Sequence, residues 1–185
     1  MSQLEKDDVP QPLVLQKNLP VIARQTSDFP ISALKFTPYD AKKLVSCGKE
    51  NVRFWRIKAS HLPACPAILN EFARNAVFND LAFESSYGML DDTDTPKIVF
   101  AATSQGTLLQ ISYHTRNVLC VLKLHSGPIN TLAVNEGYAV TGSDDKYLRL
   151  WPLDFSDYLL EAQHESPVSK VSLSLDGLKV RSGEK

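Results

Sequence analysis

The stretch that decides the fold is His125-Ser126-Gly127-Pro128-Ile129, followed by Ala139-Val140-Thr141-Gly142-Ser143-Asp144-Asp145-Lys146 and then Tyr147-Leu148-Arg149-Leu150-Trp151. It holds a short alternating strand, a strand ending in Gly-Ser-Asp-Asp, and a strand ending in Trp. Those are three of the four strands of a β-propeller blade, an architecture that recurs as a sequence unit of roughly 40–45 residues.

The same unit is found on either side. The first copy runs from Ile31 to Ile57, with Ile31, Ala33 and Phe36 opening a strand and Thr37-Pro38-Tyr39-Asp40 supplying turn chemistry. Lys43–Gly48 and Asn51–Ile57 are its next two strands, the second carrying Trp55. The second copy is Phe78–Phe83, Lys97–Ala102 and Gly106–Ile111, with Gln110 where the others place Trp. The fourth opens at His164-Glu165-Ser166-Pro167-Val168 and breaks off at Ser182-Gly183. Linking strands on the outer side are expected at Leu119–Lys123, Tyr158–Ala162, and Leu13–Leu15 or Val21–Ala23. Ala67–Ala76 has ambiguous apolar spacing; its place between blades favours an outer strand over a helix.

The predicted fold is therefore all-β: an incomplete propeller of about three and a half blades, each full blade a four-stranded antiparallel sheet. Its parts are an N-terminal segment with an outer strand (1–24), blade 1 (25–66), blade 2 (67–118) with an acidic insertion at 84–96, blade 3 (119–157) and a truncated blade 4 (158–185). The two end blades are expected to expose apolar faces, the first through Phe36 and Phe54, the last through Val168, Val171 and Leu173. Such faces and unpaired edges promote association. The chain is thus expected to be a fragment, short isoform or incomplete gene model that needs further blades in cis or in trans.

Composition narrows the function classes. A net charge of −1 lacks the basic excess of a generic nucleic-acid binder. Apolar runs are too short to span a bilayer, and Met1–Asp8 is charged, unlike a secretory signal. Cys47, Cys65 and Cys120 are odd in number and widely spaced, which predicts thiols in a reducing compartment.

Ile31–Pro38 with Ser46–Trp55, Ala101–Gly106, and Trp151–His164 resemble the blades of large microtubule-linked WD-repeat proteins. That group includes the echinoderm microtubule-associated protein-like family and centriolar, basal-body members. The resemblance spans almost the whole chain. It implies a non-catalytic scaffold in centriole or cilium assembly, in the cytoplasm and cytoskeleton at a centriole, basal body or cilium. Its partners would be centriolar or ciliary microtubule-associated proteins. Full-length relatives carry a separate N-terminal microtubule-binding domain, of which no counterpart is read here. The Trp-Asp ending of the family is also absent, since Arg56 follows Trp55 and Pro152 follows Trp151.

The resemblance further implies a hydrogen-bonded structural set at His125, Thr141 or Ser143, Asp145 and Trp151. Elementary chemistry supports it, because a buried indole N–H or imidazole left unmet costs roughly 1–3 kcal/mol. The first copy keeps Ser46 and Trp55 but places Phe29-Pro30 where His would stand and Lys49 near the Asp position. A hydrolase triad would need a nucleophile elbow that is missing. Gly48-Lys49-Glu50 lacks the P-loop spacing, Asp91-Asp92-Thr93-Asp94 lacks the glycine and ligands of a calcium loop, and His61 with Cys65 lacks a second zinc-spaced pair. No catalytic residue, cofactor or metal is assigned. Tyr113, His114 and Arg116, in a strand-to-strand turn, have the composition of a partner contact. The alternatives to a centriolar scaffold are a cytosolic adaptor unrelated to microtubules, a propeller enzyme or an RNA-bound propeller.

Overall fold

The computed structural model describes residues 21, 23–84, 97–174 and 179–184. Runs broken by Pro, Gly, Asn and Asp turns give strands throughout, alternating in burial on strands such as Val118–Lys123 and buried on both faces on second strands such as Ile98–Thr103. Strands β1 (Ile31–Thr37), β2 (Asp40–Gly48), β3 (Asn51–Arg56) and β4 (Ala64–Pro66) pair antiparallel in that order. So do β5 (Phe78–Phe83), β6 (Ile98–Thr103), β7 (Thr107–Ser112) and β8 (Val118–Lys123). A third sheet comprises β9 (Ile129–Val134), β10 (Tyr138–Ser143), β11 (Tyr147–Pro152) and β12 (Leu160–Gln163). The hairpin β13 (Val168–Leu173) and β14 (Val180–Glu184) follows. Three four-stranded blades and a two-stranded start of a fourth result among the described residues.

The first strand of each sheet lies beside the first strand of the next, β1 against β5, β5 against β9 and β9 against β13. Three apolar clusters fill the spaces between blades. Val45, Cys47 and Val52 meet Phe78, Leu81, Val99 and Ile111 between the first two. Phe100, Ala102 and Leu108 meet Leu132, Ala139 and Trp151 between the second and third. Val140 and Leu148 meet Val168 between the third and fourth. Gly142 marks how close that last approach is: a Cβ there would sit 2.6 Å from Val168 Cγ1.

Several expectations are corrected. Val118–Lys123 pairs with β7 and Leu160–Gln163 with β11, so each outer strand completes the sheet before it. Sheet boundaries therefore fall after 123 and 163, not at 118 and 157. Ala67–Ala76 is not an outer strand: β4 lies just before it, and Asn70–Ala73 forms a 3₁₀ turn that buries Leu69 and Ala76 against the first two blades. Phe54 faces blade 2, and Val168 is fully buried against blade 3. Val21 and Ala23 are not in a strand. Leu13–Leu15, the insertion from 85 to 96 and its aspartates, and 175–178 lie outside the described residues.

The open face is real at β1. Leu34 and Phe36 are 55% and 64% exposed. The side chains facing blade 2 are covered, because alternate residues of one strand point to opposite faces.

Candidate functional site

The third blade builds a closed relay. Trp151, near the end of β11, donates its indole N–H to Thr141 Oγ1 of β10 at 2.8 Å. Thr141 Oγ1 lies 2.7 Å from His125 Nε2, and His125 Nδ1 lies 3.0 Å from Asp145 Oδ2. Each donor is used once if the imidazole is neutral: indole to hydroxyl, hydroxyl to Nε2, Nδ1–H to carboxylate. Burial lowers the His125 pKa from its ordinary 6.5, against the pull of Asp145, which keeps that neutral form. Burial raises Asp145, but His125 and the donors from Tyr147 and Ser143 outweigh it and hold the carboxyl below its usual value. Asp145 also accepts from the backbone N–H of Ser126 at 3.1 Å, tying the entry to β9 to the β10–β11 turn. Thr141, not Ser143, occupies the hydroxyl position between His and Trp; the Ser143 hydroxyl accepts from the Asp145 backbone N–H at 3.1 Å.

The relay has no free face for chemistry. Thr141 is fully buried and His125 is 2% exposed, so the hydroxyl cannot meet a substrate. Phe155 and Phe100 pack beside Trp151. Among the described residues no group of three His, Cys, Asp or Glu is arranged to hold a metal ion. No helix of the described residues is long and apolar enough to cross a membrane. Cys47 is buried, and burial pushes its thiol up to about 12, so it packs as an apolar side chain.

Other residues that knit the blades lie outside the sequence-predicted set. Asp80 on β5 pairs with Lys35 of β1 at 2.7 Å and accepts from the Leu132 N–H of β9 at 2.9 Å. One carboxylate thereby fastens three blades. Asn79 donates to the Ile129 carbonyl at 2.8 Å, and Asn130 repeats the step to the Val168 carbonyl at 2.9 Å. An Asn on a first strand reaching the next blade twice is a periodic signal that alignment of the copies on their first strands would have shown.

Tyr113, His114 and Arg116 sit in the β7–β8 turn. They border a cleft of about 400 Å³ against blade 1, whose wall includes Lys43, Phe54, Arg56 and Lys58. Tyr113 is half-buried, packed on Tyr39 and Phe54 at centroid separations of 5.0 and 5.9 Å. His114 is exposed against its edge.

Residues 107–152, the turn-rich run through β7 to β11, match the family profile "WD domain, G-beta repeat". The chain is a WD-repeat β-propeller chain. It is 38% identical over 181 residues to WD repeat-containing protein 90 of Xenopus tropicalis and 36% identical over 181 residues to that of Homo sapiens. It is 34% identical over 177 residues to centriole proteome protein 16 of Chlamydomonas reinhardtii. These alignments cover 88% of the chain but only 10%, 10% and 8% of the relatives, so the chain spans about a tenth of their length. The crystal structure of the WD40 beta propeller domain of Doa1 superposes with a TM-score of 0.66 at 15% identity, covering 88% of this chain and 51% of that one. That likeness concerns the fold: this WD-repeat chain occupies about half of that propeller chain.

Proposed function

We propose that the chain is a non-catalytic WD-repeat scaffold segment for protein–protein interaction in centriole or cilium assembly, working at centrioles, basal bodies or ciliary microtubules. The observation that carries this is similarity over 88% of the chain to a protein named for the centriole proteome. Interblade packing supports the scaffold half of the reading. The His125–Asp145–Thr141 grouping is spent on holding a strand pair together, with its hydroxyl sealed from solvent.

Further blades, in cis or in trans, would cover Leu34 and Phe36 on β1, as radial closure does in propellers. His125, Thr141, Asp145 and Trp151 are proposed as the structural set of blade 3, and Tyr113, His114 and Arg116 as part of a partner-contact surface. Imaging of the tagged full-length parent protein tests the location. Enrichment at basal bodies is expected; a diffuse cytosolic or purely nuclear signal would favour a general adaptor and overturn the centriolar reading.

A further inference from the structure

We infer that the cleft between blades 1 and 2, on the side of the β3–β4 and β7–β8 connections, docks an extended acidic peptide of a protein partner. This gives a partner chemistry to the scaffold reading and rests on it, but not on its centriolar location.

The charge distribution points there. The chain as a whole carries a net charge of −1. Yet Lys43, Arg56, Lys58 and Arg116 all border one cleft, with His114 beside them and no carboxylate in its lining among the described residues. Asp40 flanks it, 3.5 Å from Lys43, with both side chains more than a third exposed. Glu84, whose charge acts on Tyr39, is a second acid nearby. Among the described residues, two acids do not balance four cations.

Three local departures from good folding chemistry converge on the same place. Lys43 and Arg56 are direct cross-strand partners on the face of the sheet that also presents Val45 and Phe54. Like charges placed opposite one another destabilise a strand pair. Arg116 holds φ 62, a left-handed conformation that disfavours a side chain of its type. The Tyr113 hydroxyl is buried and has no hydrogen-bond partner among the described residues. Sequences break such rules mainly where function requires it.

An aromatic floor between two basic rims suits an acidic chain segment. Phe54 and Tyr113 give an aromatic floor, and Lys43 Nζ stands 5.6 Å over the Tyr113 ring. Exposed Arg56 and Lys58 rise from blade 1, and Arg116 faces them from blade 2. Glutamates or aspartates would meet the cations on both rims, while an aromatic or aliphatic side chain between them would cover Phe54 and Tyr113. Electrostatic complementarity of this kind sets on-rate and partner choice.

The test uses the 185-residue chain and a fluorescein-labelled peptide of glutamates interspersed with tyrosine, read by anisotropy. Binding that weakens as salt rises is expected. The variant Arg56→Gln/Lys58→Gln/Arg116→Asn, with Asn chosen for its tolerance of positive φ, should bind roughly tenfold more weakly. Arg74→Gln/Lys170→Gln, two exposed cations elsewhere, should bind as the parent does. Asp40→Asn should bind more tightly. Arg56→Gln alone should leave Tm unchanged or raise it, since it removes a like-charge pair. The inference is overturned by absence of binding at low salt, by equal loss in both multiple variants, or by an oligothymidine that binds as tightly as the peptide. A lower Tm for Arg56→Gln would also overturn it, because the cations would then be structural. None of these outcomes bears on where the parent protein localises.

Discussion

Blades 1 and 3 use the same Arg-x-Trp strand ending in two different ways. In blade 3, Arg149 donates to Glu161 at 2.7 Å and to the Leu124 carbonyl, while Trp151 enters a relay that ends on Asp145. In blade 1, Trp55 donates to Ser46 at 2.8 Å and the relay stops there. No His follows; instead Arg53 stacks over Trp55 and Phe29 and forms a bidentate pair with Asp28, which is itself exposed. The two indoles are nonetheless equally hidden, at 7% and 6% exposure. Equal burial with unequal hydrogen bonding separates what the relay contributes from what packing contributes. Blade 2 dispenses with both, since Gln110 stands in the Trp position and Ala102 in the hydroxyl position.

The largest expected effect follows from breaking the relay in the middle. Thr141→Val keeps shape but leaves the Trp151 N–H and His125 Nε2 without partners, which should destabilise the chain by about 3 kcal/mol in urea unfolding. Asp80→Ala should come next, at about 2 kcal/mol, because the buried Leu132 N–H loses its acceptor and Lys35 its counter-charge. Ser46→Ala removes the shorter arrangement in blade 1 and should cost about 1 kcal/mol. A cost for Ser46→Ala equal to that for Thr141→Val would erase the distinction between the blades.

A pH series sharpens the comparison. His125 has a folded pKa below its ordinary 6.5, so its contribution is fully present above about 6.5 and is lost as pH falls toward the folded value. Asp145, lowered from 3.8, adds a further loss of the same sign only at still lower pH. His125→Asn should therefore lie well below the parent in Tm at pH 7, and the gap should narrow at pH 5.5. A gap that widens on acidification would mean a protonated His125 in the fold. Smallest of all is Asp28→Asn, which should leave Tm unchanged, since its carboxylate is solvated.

Much of this was legible in the sequence because short runs, alternating or, on the second strands, continuously buried, are bounded by turn residues. The outer strands were harder. Leu119–Lys123 and Tyr158–Ala162 are recognisable as strands, but alternation does not say which neighbour a strand pairs with, and both join the sheet before them. Ala67–Ala76 misled because Leu69 and Ala76 are buried by a 3₁₀ turn, whose short apolar run resembles a buried strand. In the candidate set, His125, Asp145 and Trp151 stood out by type, whereas the choice between Thr141 and Ser143 depended on which face of β10 meets the imidazole. Phe54 and Val168 are covered because each end blade is bare on one face only. The cations of the cleft are scattered from Lys43 to Arg116 and converge only when two blades are side by side.

The central claim, that blade 3 is held by a four-member relay while blade 1 is held by a single indole–hydroxyl bond, can be read from the two indole N–H signals by NMR hydrogen exchange. With equal burial, the Trp151 proton should exchange more slowly than that of Trp55, and Thr141→Val should accelerate Trp151 while leaving Trp55 as it was. Equal exchange rates in the parent chain, or acceleration of both protons by Thr141→Val, would contradict the account.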